Sequence, residues 1–140
     1  MKPGDYAGLA AISAHYGMVG VKCDENGNRY VFQGCNSDTN SGAKAKKEDK
    51  IKENAVSEEK IEGNAPVYLK IEYAFNTGKT RADKANFFYS LDGENWKSIG
   101  ETFSLGFDTA TTFMGTRSWL VNYATKEDGG YVDFDYYKVK

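Results

Sequence analysis

Asp133 and Asp135 stand two residues apart in the run YVDFDYYKV, with Tyr131 before them and Tyr137 after. On a strand, residues two apart point to one face. Both carboxylates would then project together, flanked by tyrosine rings. A carboxylate pair can act as general acid and base. Oxygens at this spacing can hold calcium, a hard cation. A ring beside hydrogen-bond acceptors can cover the apolar face of a pyranose while the acceptors take its hydroxyls. The plainest use is a solvated sheet face, since two carboxylates on one strand are ordinary in sandwiches.

A second mixed row lies upstream in RSWLVNY. Arg117, Trp119, Val121 and Tyr123 point one way; Ser118, Leu120 and Asn122 point the other. Trp119 and Tyr123 make a stacking pair if that row faces outward and a core pair if it faces inward. Burial is the commoner fate of any single aromatic. Trp96, just after a turn, reads as a packing residue closing an edge. The residues best suited to grip a sugar are therefore Trp119, Tyr123, Arg117, Tyr131, Asp135 and Tyr137. Those suited to a metal are Asp133 and Asp135, with the turn at Asp5 as a further oxygen source.

Other chemistry finds no support in the residue pattern. The chain has no Gly-x-Ser-x-Gly elbow and no phosphate-cradling glycine loop. The single histidine, His15, sits in the turn-like SAHYG and reads as a surface residue. No catalytic residue is expected. Two cysteines and one histidine do not complete a structural zinc site without carboxylates. Cys23 and Cys35 would fall at unlike places on a hairpin turning at Asp24-Glu25-Asn26-Gly27, so a disulfide is not expected. With 18 basic and 20 acidic residues there is no concentrated positive field for nucleic acid. No apolar run approaches the ~18 residues that a membrane-spanning helix needs. The start, Met1-Lys2-Pro3-Gly4-Asp5, lacks the apolar core of a signal peptide.

The elements that must position these residues are strands. Apolar and polar residues alternate in YAGLAAIS (6–13), YGMVGVKC (16–23), NRYVFQGC (28–35), PVYLKIEYAF (66–75) and KANFFYSL (84–91). Asp92-Gly93 is a hairpin turn, after which 96–99 returns. Strands are expected also at 101–107, 117–124 and 131–139. In the last, Val132, Phe134 and Tyr136 form the core row. About nine or ten short strands with glycine-rich turns predict an all-β, antiparallel β-sandwich or barrel in one domain, 1–140. Residues 36–65 contain none of the chain's 20 aromatics and interleave lysines with acids. They read as a mobile, charged insertion, with a helical turn at 44–53.

The stretches GDYAGLAA with YGMVGVK, NFFYSLDGENWKSIG, FMGTR and NYATKEDGGYVDFDYYKV resemble the C-terminal domain of family 43 glycoside hydrolases, the β-xylosidases and arabinofuranosidases. The resemblance covers most of the chain except 36–65. It implies a concanavalin A-like jelly-roll sandwich following a catalytic propeller that carries the acids. It implies a carbohydrate-binding or accessory role, with xylan or arabinoxylan oligosaccharide and the propeller as partners. It also implies a structural calcium of the kind such sandwiches hold. The family has strands ahead of GDYAGLA, so a fragment of a longer enzyme with exposed sheet edges is expected. The family carries a bulkier residue where Ser118 stands and a small one where Trp119 stands. No pocket-lining residue therefore carries over.

Overall fold

The computed structural model describes residues 1–13, 15–35, 54–75, 83–106 and 115–140. Among them the chain forms nine strands. In order they are β1 (Asp5–Ile12), β2 (Tyr16–Cys23), β3 (Arg29–Cys35), β4 (Asn54–Ile61), β5 (Tyr68–Ala74), β6 (Lys84–Ser90), β7 (Lys97–Ser98), β8 (Phe103–Ser104) and β9 (Arg117–Ala124). They make two antiparallel sheets. One runs β4-β3-β2-β1-β9; the other runs β5-β6-β7, with β8 also on β6. The fold is the expected all-β sandwich.

Local chemistry fixes the hairpins. Between β2 and β3, Asp24 Oδ1 accepts the N–H groups of Asn26 and Asn28, each at 2.8 Å, and Oδ2 accepts Asn28 Nδ2 at 2.9 Å. Gly27 takes the positive φ (81°) that this turn requires. The bond from the Asn28 side chain is the main reason that the Asp24 carboxyl titrates below its ordinary range. Register follows: Cys23 pairs with Arg29 and Gly17 with Cys35. The two buried cysteines thus stand at opposite ends of the hairpin, and no disulfide joins them.

The core lies between the sheets. Leu9, Ala11, Val19, Val21, Val31 and Ile61 from the larger sheet meet Phe87, Tyr89, Ile99 and Leu105 from the smaller, with Leu69, Ile71 and Tyr73 of β5 packed alongside. Each fully buried large side chain contributes about 1.5–3 kcal/mol. Polar links cross this interface. Buried Gln33 on β3 donates from Nε2 to the Glu101 carbonyl at 2.9 Å and accepts the Glu101 N–H at 2.6 Å. Buried Tyr89 donates its hydroxyl to Glu59 Oε2 at 2.5 Å.

Two regions differ from the sequence expectation. Within 36–65, read as an insertion, residues 54–61 form β4, an edge strand paired to all of β3. Its charges suit that place: Lys22 reaches Glu58 across the outer face, and a charged row blunts an edge against further pairing. The helical turn expected at 44–53 lies outside the described residues. The second difference is at 131–139, expected as a strand: it makes no ladder with any described residue, and its core row is not buried. Phe134 and Tyr136 are exposed, and Val132 is only half-buried. Alternation sorts side chains into two rows, but a strand also needs a neighbouring edge with free N–H and C=O groups.

Candidate functional site

β9 pairs with β1 along its whole length, Asp5 opposite Ala124 and Ile12 opposite Arg117. Leu120 stands opposite inward Leu9 and Ser118 opposite inward Ala11. The other row, Arg117, Trp119, Val121 and Tyr123, therefore faces away from the core, on the outer side of the larger sheet. That settles the alternative left open by the sequence. Trp119 is 53% exposed. The residue opposite it is Ala10, too small to cover an indole.

Tyr123 has a partner that the sequence reading missed. Tyr6 lies directly across from it, and the rings stack with centroids 5.0 Å apart and planes 5° from parallel. Tyr6 also meets buried Phe32 edge to face at 5.5 Å. Ala10, Met18 and Phe32 form a small cluster under Tyr6, Ile12, Val121 and Tyr123. This second cluster fixes the ring pair from below, and Trp119 stands beside it. Four residues of extended strand separate Trp119 from Tyr123, roughly 14 Å. The row presents an exposed indole, with a guanidinium at one end and a tyrosine pair at the other. Nothing local in the sequence could have found Tyr6, because the β1–β9 pairing joins the two ends of the chain without a connecting turn.

The remaining candidates lie on the segment after β9. The segment after β9 turns at Gly129 (φ 97°) and passes Asp5 so closely that a Cβ on Gly130 would overlap the Asp5 carboxylate. Tyr137 then comes near Tyr73, whose hydroxyl shares a 2.5 Å bond with Ser118 Oγ. Burial pushes the Tyr73 hydroxyl up; the bond to Ser118 opposes this and the charge of Tyr137 adds to it. Tyr131, Asp133 and Asp135 are exposed.

Among the described residues the acids gather too few side-chain ligands to make a calcium site by themselves. Among the described residues no three His, Cys, Asp or Glu side chains group as metal ligands would. Asp133 and Asp135 project from an exposed segment with no third carboxylate beside them. The Asp5 carboxylate is buried, takes the Lys2 N–H at 2.5 Å and lies against Gly130.

Residues 1–140 match the model of the β-xylosidase C-terminal concanavalin A-like domain. The chain belongs to that family. It is an accessory C-terminal domain of GH43 glycoside hydrolases. It is 27% identical over 137 residues to a β-xylosidase of Formosa agariphila, covering 98% of this chain and 19% of that protein. The solved structure of a bifunctional GH43-CE protein from Bacteroides eggerthii superposes with a TM-score of 0.73 at 36% identity, over 93% of this chain and 14% of that one. A GH43 glycoside hydrolase engineered to show both endo-xylanase and exo-arabinofuranosidase activity shares the fold, with a TM-score of 0.69 at 24% identity, over 91% of this chain and 24% of that one. The chain thus spans a quarter or less of each of these relatives.

Proposed function

We propose that this accessory domain binds xylan or arabinoxylan chains without cleaving them and buttresses the catalytic propeller of a hemicellulose-degrading hydrolase. The observation that carries the reading is the outward row of β9. Trp119 is exposed, Tyr123 is stacked on Tyr6, and Arg117 offers a planar fork of donors for hydroxyl and ring oxygens. A pyranose presents an apolar face to such rings and hydroxyls to the flanking donors. Tyr131, Asp135 and Tyr137, on the segment after β9, would act as a separate contact strip.

A docking domain without sugar affinity is the second reading. It is favoured by exposed Phe75 just after β5, Leu120 on β9 and Val139 near the end of the chain, since apolar surface of this kind also suits a protein partner. Affinity gel electrophoresis in xylan, arabinoxylan and cellulose separates the two. Retardation in xylan or arabinoxylan, lost in Trp119→Ala, supports sugar binding. Unretarded migration in all three, with complex formation when the parent propeller is added, supports docking alone.

A further inference from the structure

The outer face of the smaller sheet carries a second aromatic surface. Tyr68 and Lys70 on β5 lie opposite Ser90 and Phe88 on β6, and all four point away from the core. Lys70 Nζ lies 4.6 Å from the centre of the Phe88 ring and 4.8 Å from that of Trp96. It therefore braces the two rings. Trp96 is 38% exposed on this face and does not close the sandwich edge as its position in the sequence suggested.

The loop that delivers Trp96 is tightly built. Asp92 Oδ1 accepts the N–H groups of Glu94 and Asn95 at 2.9 and 2.7 Å, and Oδ2 accepts Asn95 Nδ2 at 2.7 Å. Buried Ser90 accepts the Gly93 N–H at 2.9 Å and donates to Asp92 at 2.8 Å. Gly93 adopts a positive φ (80°) and rests on the Tyr68 ring, 3.2 Å from where a Cβ would stand. An aromatic residue held exposed by a loop with its polar groups satisfied loses little entropy on binding.

The charges indicate what this surface takes. The cation among the rings, Lys70, is paired with Glu72 at 2.8 Å. Around the rings stand neutral groups, with Thr102 donating to Asn86 Oδ1 at 2.6 Å and Ser98 opposite Phe88, while Lys84 stands at the far end of the same β6 row. Rings among amides and hydroxyls, with the central charge offset, match an uncharged polyol and not a polyanion.

We propose that the outer face of β5–β6–β7, centred on Trp96, Phe88 and Tyr68, is a second glycan surface for an uncharged pyranose chain. The domain then holds glycan on both outer faces. The proposal rests on the glycan reading of the β9 row but stands on different residues, and the two tryptophans report the faces separately. In the full chain, Trp119→Phe leaves Trp96 as the only indole, and Trp96→Phe leaves Trp119. Each variant is titrated with soluble arabinoxylan and with polygalacturonate while emission is followed; circular dichroism checks the fold. The expected result is a saturable arabinoxylan response from each single-tryptophan variant. Asn86→Ala should weaken the Trp96 response several-fold and leave the Trp119 response unchanged. A Trp119 response with Trp96 silent overturns the second surface and leaves the first reading intact. Silence from both overturns both. A stronger Trp96 response to polygalacturonate overturns the uncharged-chain assignment.

Discussion

Gln33→Leu should lower the melting temperature by roughly 6–8 °C. Gln33 is 1% exposed, and its amide makes two bonds to one backbone unit, Glu101, across the gap between the sheets. Leucine keeps the volume and removes both bonds. A buried backbone group left without a partner costs about 1–3 kcal/mol. Glu101 is exposed enough for water to replace part of each bond, so the low end applies, about 1 kcal/mol for each group. The total of about 2 kcal/mol converts at about 3–4 °C per kcal/mol for a chain of this size. Differential scanning calorimetry measures it. Gln33→Glu gives the diagnostic sign. The introduced carboxylate faces the Glu101 carbonyl, so its native pKa rises above the unfolded value near 4.3. Stability from protonating it is present below that value and is lost as pH rises through the native pKa. This variant should therefore gain stability on mild acidification relative to the parent chain. Gly100 adds a coupling: it has a positive φ (69°), and a Cβ there would overlap the Gln33 amide. Gly100→Ala should cost more in the parent chain than in a Gln33→Ala background. A fall below about 2 °C for Gln33→Leu, or no acid gain for Gln33→Glu, would refute the claim that this amide ties the sheets together.

Burial, with Glu59 beside it, pushes the Tyr89 hydroxyl up from its ordinary value near 10 to about 12. Its contribution is present below pH 10 and is lost as pH rises through 12, so urea midpoints should fall across that window, and by less in Tyr89→Phe. Gly130→Ala should lower the unfolding free energy measured in urea by about 1–3 kcal/mol, because the added methyl meets the buried Asp5 carboxylate; an unchanged midpoint would show that this contact is loose. Melting curves with and without a chelator should coincide, and a chelator-dependent drop would restore calcium to the account.

Much of the sandwich was legible in the residues, and the reasons are local. Strands β5, β6 and β9 keep one better-covered row, and a strand of that kind alternates; β2 and β3 are buried along five successive residues and were marked off by the turns around them. The turns at Asp24–Asn28 and Asp92–Asn95 are written in side chains that bond their own backbone. β4 was hidden because it is an exposed edge whose row Val56, Glu58, Lys60 carries no apolar period. The segment 131–139 misled for the opposite reason: it alternates, yet no described edge pairs with it. At the site, the shared face of Arg117, Trp119 and Tyr123 followed from spacing alone. Whether that face looked outward depended on β1, more than 100 residues away. The stacking of Tyr6 on Tyr123 and the bracing of Trp96 by Lys70 are tertiary facts with no local signal.

The outward row of β9 is the centre of the proposed sugar site. Nuclear magnetic resonance of the full chain, titrated with a xylo-oligosaccharide, tests it directly through the indole N–H of Trp119. A progressive, saturable shift of that resonance, absent with a cello-oligosaccharide control or much weaker there, is the expected result. A Trp119 resonance that stays in place at saturating xylo-oligosaccharide would contradict it.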